Sequence, residues 1–109
     1  MTNEEALEER RAYEAEQERV ERVLRTVRFG MTVQEFLESD VGQYLQARAI
    51  VDRNAALEEL ANTQPHQWEL IAAIQQRIRV IDQWQHWIGD AINEGESARK
   101  AYVDMDIAN

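Results

Sequence analysis

The most regular hydrophobic pattern in the chain lies between residues 66 and 93. Isoleucines recur there at alternating spacings of three and four residues, and Gln85 occupies the one gap in the series, which is made up of Ile71, Ile74, Ile78, Ile81, Ile88 and Ile92. This spacing places the side chains along one face of a helix, as in the a/d seam of a coiled coil. The pattern therefore predicts a helix over 66–93 that packs its isoleucine face against other helices.

A second apolar stripe lies roughly on the opposite side of the same helix. A helix that is apolar on two faces is either central in a bundle or contacts another chain as well. Tryptophan is enriched among the residues that contribute most to protein interfaces. Alternatively, the tryptophans fill the core and each indole N–H finds a polar partner there. We take as candidate interface residues Val80, Trp84, Trp87 and Ala91 from the stripe, together with Trp68 near the start of the helix.

The N-terminal part of the chain is predicted to form one helix over residues 3–29. Tyr13, Val20 and Val27 recur every seven residues, and Leu24 lies on the same face. Residues 3–18 are mostly glutamate, so that stretch has almost nothing to bury. Because such a helix is held by propensity and charge pairs alone, we expect residues 1–18 to be frayed or ordered by a partner.

Several signals predict that this helix ends at Gly30. Glycine suits the left-handed position after a helix. Thr32 and Glu35 have the spacing of a capping box for the next helix, and Met31 with Phe36 would form the matching hydrophobic staple. A short helix over 33–38 is therefore expected to follow the break.

A further helix is predicted over 41–62, with Asp40 as its N-cap; the alternative is that the two helices run on with a kink at Ser39-Asp40. Asn62 to Pro65 reads as a turn, with Pro65 in the first turn of the helix that follows. So short a link predicts an antiparallel helical hairpin, in which Leu57 and Leu60 face Trp68 and Ile71, and Ile50 meets Ile78.

The expected fold class is therefore all-α, a single domain over 1–109. The long N-terminal helix would pack its residues 20–27 on the hairpin, giving a helical bundle with a coiled-coil-like seam. Residues 96–103 would add a last helical turn or two, and residues 104–109 would be a loose tail. The composition agrees, because only four glycines and one proline leave little material for turns.

The charge of the chain narrows the choice of partners. A net charge of −9 disfavours direct binding to nucleic acid or to an anionic membrane, and it permits a basic protein partner. No apolar run reaches the roughly 20 residues of a membrane span. The first residues lack the pattern of a signal peptide, so the expected location is the cytoplasm.

Few residues suggest a catalytic, metal-binding or phosphate-binding role. Asp82, His86 and Asp90 follow one another at intervals of four and could offer metal ligands, although a solvated polar face explains them better. Arg19, Arg22, Arg25 and Arg28 could touch phosphate, but complementing the helix dipole is the favoured interpretation. We therefore expect no catalytic residues, no cofactor and no metal site, and interpret the protein as a non-enzyme.

One longer pattern resembles a known group of proteins. Residues 36–45 (FLESDVGQYL), Arg48-Ala49, the Pro65 turn, and the stretch from Gln76 and Ile78 to Ile92 are similar to small uncharacterised helical proteins of tailed phages and prophages. The likeness covers about residues 32–95 and lies in helix caps and seam positions. Similar proteins tend to be encoded among packaging and virion genes, so the resemblance implies a role in phage assembly and no particular site residues.

Three functions follow as expectations. The first is a non-catalytic interaction protein, such as a phage assembly or packaging accessory, that forms homo-oligomers through the second stripe of helix 66–93. It would act in the host cytoplasm or in the virion. The second is an acidic inhibitor whose carboxylates, in residues 4–18 and 90–106, occupy a basic site on a host protein, such as one that binds nucleic acid. The third is a metal-dependent enzyme that uses Asp82, His86 and Asp90.

Overall fold

The computed structural model describes residues 2–108, with side chains described as far as Met105. These residues form three helices: α1 (Asn3–Glu38), α2 (Asp40–Ala61) and α3 (Trp68–Ala108). The predicted all-α class is confirmed. Within the described residues, no helix combines the length and the apolar character needed to cross a membrane.

Helix α1 does not end at Gly30, so the predicted boundary there was wrong. The helix continues to Glu38, and no described residue, glycine included, has a positive φ. Thr32 is an interior residue whose hydroxyl donates to the carbonyl of Arg28 at 2.9 Å instead of capping a new helix. Gly30 is buried because it packs closely against Gly95 of α3.

The capping box of α1 lies instead at the start of the chain. The amide of Glu5 donates to the Thr2 hydroxyl at 3.2 Å, and the Thr2 amide donates to the Glu5 carboxylate at 3.4 Å. This reciprocal pair satisfies two amides at the first turn. The glutamate-rich stretch thus has a helix start signal of its own, and residues 3–18 are helical.

The break between α1 and α2 lies at Ser39, one residue before the predicted cap. The Ser39 hydroxyl accepts from the Gly42 amide at 3.1 Å and donates to the Phe36 carbonyl. A Cβ placed on Gly42 would lie only 1.7 Å from that Phe36 oxygen. Glycine is therefore required at position 42, because any side chain would collide with the backbone of the last turn of α1.

The turn between α2 and α3 is longer than predicted. It takes in residues 62–67, so Pro65 precedes α3 and does not lie in its first turn. From Trp68 the helix runs for 41 residues through Gly89 and Gly95. Residues 104–108, predicted as a loose tail, belong to its last turns; Asn109 is outside the described residues.

Contacts group the chain into two compact units. Unit 1 contains Met1–Thr32 and Ala91–Asn109, and unit 2 contains Val33–Asp90. Both α1 and α3 contribute residues to each unit. The single domain over 1–109 stays a prediction, and each unit is described by itself.

Unit 1 is a two-helix pair that is closest at Gly30 and Gly95. A Cβ built on either glycine would lie 2.9 Å from the Cα of the other, so the two backbones are in contact. The half-buried residues of unit 1 are Val20, Val23, Leu24, Thr26 and Val27 of α1 and Ala91, Ile92, Ala98 and Met105 of α3. Gly30 lies beside the Ala91 oxygen, four residues before Gly95, and Gly95 lies beside the Thr26 oxygen, four residues before Gly30. The segments therefore run antiparallel, and the predicted face of the N-terminal helix packs on the C-terminal part of α3.

Unit 2 is built around the isoleucine seam. Ile74 is almost fully buried at 1% exposure, and the other seam positions in the unit are half-buried: Ile71, Ile78, Ile81, Gln85 and Ile88. The predicted seam is confirmed, with Gln85 as a member of it. On α2 the buried residues are Gly42 and Ala56.

Helices α2 and α3 form the predicted antiparallel hairpin, because Glu59 pairs with Arg77 and Arg53 pairs with Asp82. The register differs from the prediction. The ion pairs place residue 50 level with about residue 85, which is roughly two turns beyond Ile78, and Ile50 is exposed.

Candidate protein-interaction surface

A groove between α2 and α3 is the main surface feature of unit 2, and we name it the α2–α3 groove. One part, with a volume of about 370 Å³, is lined by Leu45 and Ala49 from α2 and by Val80, Trp84 and Trp87 from α3. The other part, about 560 Å³, is lined by Ala55, Ala56 and Glu59 opposite Gln76 and Arg77. Asp52, Val80 and Ile81 line both parts, so the groove is continuous.

The groove exists because small residues of α2 face large residues of α3. Ala49, Ala55 and Ala56 end in methyl groups and leave space above the seam. Val80, Trp84 and Trp87 follow spacings of four and three, which place them on one helix face. Trp84 is half-buried, whereas Val80 is 55% and Trp87 is 59% exposed. The groove thus presents a large apolar surface to solvent.

The charged residues that line the groove are balanced in sign. Arg48 pairs with Asp52 at 3.2 Å along α2, and Arg77 of α3 pairs with Glu59 of α2. The whole chain carries a net charge of −9, so this neutral surface differs from the average surface of the protein. A second surface of the same kind can approach it without net repulsion.

A second ion pair joins α2 to α3. The Arg53 guanidinium donates from Nε to Asp82 Oδ1 at 2.6 Å and from Nη2 to Oδ2 at 3.2 Å, which is the two-point geometry that arginine forms with carboxylates. This hydrogen bonding, reinforced by charge attraction, lowers the pKa of Asp82 from its ordinary value and raises the pKa of Arg53. Both side chains are exposed, so the pair guides register more than it adds stability.

The structure brings together three of the five candidate interface residues. Val80, Trp84 and Trp87 line the groove. Trp68 is 69% exposed but lies sixteen residues earlier on α3 than Trp84, which is about 24 Å along a helix axis. Ala91 belongs to unit 1, and its carbonyl oxygen would lie 3.0 Å from a Cβ on Gly30. Ala91 therefore faces the helix crossing.

The α2 side of the groove was missed by sequence reasoning. Its residues Leu45, Ala49, Asp52 and Ala56 follow spacings of four, three and four, which is a seam pattern that could have been found. The signal is weak because alanine and aspartate do not stand out as an apolar stripe.

The candidate metal ligands Asp82, His86 and Asp90 take part in two separate pairs. Asp82 is bound by Arg53, while His86 Nε2 lies 3.3 Å from Asp90 Oδ2. Across the part of the chain that the structure describes, no three His, Cys, Asp or Glu side chains are placed to hold a metal ion together.

The chain was compared with protein families, curated proteins and solved structures. No protein family, curated protein or solved structure matches the chain.

Proposed function

We propose that the protein is a non-catalytic interaction module that binds a second copy of itself through the α2–α3 groove. The observation that carries the proposal is the exposure of large apolar side chains in that groove, above all Trp87 and Val80. An exposed aromatic beside an apolar cleft is the arrangement found where proteins bind proteins.

The small amount of burial supports the same proposal. The chain exposes 8811 Å² of surface, whereas a folded monomer of its mass, 12.7 kDa, exposes roughly 6,200 Å². Among the described residues, the only hydrophobic side chains that are fully buried are Ala56 and Ile74. Covering the groove would remove apolar surface from water, which favours association.

The balanced charge of the groove favours a second copy as the occupant. Elsewhere two copies repel one another because each carries a net charge of −9, but at the groove each arginine already has a carboxylate partner. Two copies related by a twofold axis would insert Trp87 of each into the groove of the other. The proposal includes a role as a phage assembly or packaging accessory, for which the support is the resemblance of residues 32–95.

Light scattering after size exclusion, at two protein concentrations and two salt concentrations, tests this proposal. We expect a dimer or larger assembly whose mass is insensitive to salt, because apolar contacts are not screened. Trp87→Ala should raise the dissociation constant by about tenfold or more, since removal of an interface tryptophan commonly costs at least 1.4 kcal/mol.

Trp68→Ala is the matched control, because it removes an equally exposed tryptophan from the same helix outside the groove. It should leave the mass unchanged. A wild-type protein that is monomeric under every condition, or an equal effect of the two substitutions, would refute self-association through the groove.

The alternative function is that of an acidic inhibitor that occupies a basic site on a host protein. The observation that favours it is the exposure of every residue from 2 to 19, a stretch that contains seven of the fifteen glutamates. Such a protein should lose its partner steeply as salt rises, whereas the groove-mediated complex should not.

A further inference from the structure

The N-terminal part of α1 extends well beyond the described part of the helix it pairs with. In unit 1, α1 reaches back 27 residues from Gly30 to Asn3, whereas α3 runs forward only 13 residues from Gly95 to Ala108. At 1.5 Å per residue these lengths are about 40 Å and 20 Å. Because the two segments are antiparallel, about the first 14 residues of α1 lie beyond the level of Ala108, the last residue of α3 that the structure describes. We name residues 3–17 the N-terminal arm.

Burial along α1 agrees with this geometry. Every described residue from 2 to 19 is exposed, and half-burial begins at Val20. Tyr13 is 66% exposed and Leu7 is also exposed. The arm is therefore a helix without a tertiary partner among the described residues, and an isolated helix of this length is only marginally stable in water.

The packing face of α1 nevertheless continues into the arm. Val20 and Val27 are half-buried against α3, and stepping back by seven residues from Val20 gives Tyr13 and then Ala6. These residues lie on the same face as the paired part of the helix. The arm thus offers the continuation of a helix-packing seam that no described residue covers.

The chemistry of this seam changes where the arm begins. In the paired part, the positions three residues after Val20 and Val27 are Val23 and Gly30. In the arm, the corresponding positions after Ala6 and Tyr13 are Glu9 and Glu16. The ion pair that Glu16 makes is an exposed one with Arg19 at 3.2 Å. A helix that packs on the arm must therefore face two carboxylates within the contact.

We propose that the N-terminal arm binds a basic amphipathic helix of another protein, which continues the line of α3. Apolar residues of that helix would cover Ala6 and Tyr13, and its Lys or Arg residues would pair with Glu9 and Glu16. The arm has six Glu and two Arg, a net charge of −4, which attracts such a helix and disfavours a second copy of the arm. This docking surface is distinct from the α2–α3 groove.

The proposal can be tested with a designed peptide as the probe. A 15-residue helical peptide with Leu at seam spacing and Lys flanking it is titrated into the isotopically labelled full-length protein at physiological salt. A scrambled peptide of the same composition has the same charge but no apolar face. We expect NMR shift changes confined to residues 3–19 and at least tenfold weaker binding of the scrambled peptide.

Two matched variants sharpen the test. Tyr13→Ala should weaken binding of the patterned peptide about tenfold, while Tyr44→Ala, which removes a tyrosine of similar exposure from unit 2, should not change it. Equal binding of the patterned and scrambled peptides would mean that charge alone acts and would overturn the proposal. NMR shift changes centred on the α2–α3 groove would overturn it as well. A loss of self-association in Tyr13→Ala would identify a second copy as the occupant and would also overturn it. Trp87→Ala should leave peptide binding unchanged, so self-association through the groove and peptide binding by the arm are tested independently.

Discussion

Units 1 and 2 hold their helices together in different ways. In unit 1, α1 and α3 meet at Gly30 and Gly95, where the backbones touch and no side chain intervenes. In unit 2, α2 and α3 are joined by the isoleucine seam and by two ion pairs between long side chains. The pairing of small residues with large ones there leaves the α2–α3 groove open.

The difference decides where each unit can bind something else. A glycine contact closes the space between two helices, so the free surface of unit 1 lies on the exposed N-terminal arm of α1. Alanines opposite tryptophans leave a cleft along the pair, so the free surface of unit 2 lies between its helices. Five substitutions test this comparison. Trp87→Ala and Tyr13→Ala address the two binding surfaces, and the other three address helix packing and charge.

The largest effect is expected from Gly42→Ala in unit 2. The new methyl group would lie 1.7 Å from the Phe36 oxygen and 2.8 Å from the Leu37 Cα, and backbone atoms cannot rotate away. The junction between α1 and α2 must be rebuilt, at a cost of at least about 3 kcal/mol. Urea denaturation followed by circular dichroism measures the change in the free energy of unfolding. A decrease of less than about 1 kcal/mol would show that the junction has room for a side chain at position 42.

A smaller effect is expected from Gly95→Ala in unit 1. The added Cβ would lie 2.9 Å from the Gly30 Cα, so the helices must move apart by several tenths of an ångström. We expect a net loss of about 1–2 kcal/mol, because the overpacking cost exceeds the gain in helix propensity.

Gly89→Ala is the control for this substitution, since a Cβ there meets nothing within 4 Å. It lies in the same helix and should stabilise the protein by about 0.5–1 kcal/mol through propensity alone. Opposite signs for the two alanine variants would support the backbone contact. Stabilisation by both would mean that the crossing tolerates a side chain and that unit 1 is packed like unit 2.

The smallest effect concerns the Arg53–Asp82 pair of unit 2. Because Arg53 lowers the pKa of Asp82, the pair stabilises the fold at pH above the ordinary aspartate pKa of about 3.9. That contribution disappears as the pH falls through the lowered value. In Arg53→Gln, the pKa of Asp82 should rise towards the ordinary value, as an NMR titration of its carboxyl carbon would show.

Arg48→Gln is the control for the titration, because Arg48 pairs with Asp52 along α2 and not with Asp82. This substitution should leave the lowered pKa of Asp82 unchanged. An Asp82 pKa that is the same in the wild type and in Arg53→Gln would show that the pair does not form in solution.

Much of the fold could be predicted because its signals are local. The isoleucine spacing of 71–92 identifies both the helix and its buried face, since the side chains three and four residues apart share a side. The interruption at Ser39-Asp40 and the turn after Asn62 were also found, because caps and turns depend on hydrogen bonds within a few residues. The α3 side of the groove followed from the same periodicity.

Gly30 shows where local reasoning fails. Glycine, a Thr-x-x-Glu spacing and a hydrophobic staple together predict a helix end, and the same sequence is the interior of a 36-residue helix. A glycine that allows a left-handed turn and a glycine that allows two backbones to touch look the same in sequence. What distinguishes them is Gly95, which is 65 residues away along the chain.

The sequence by itself thus determined most of the helical segments and the buried faces of α1 and α3, because these depend on neighbours within about one helical turn. Only the tertiary structure decided the register of α2 on α3, the closure of unit 1 at Gly30 and Gly95, and the length of α1 that is left without a partner. Each of these depends on which residues of two distant segments come to the same level, and that is set by how the helices pack as a whole.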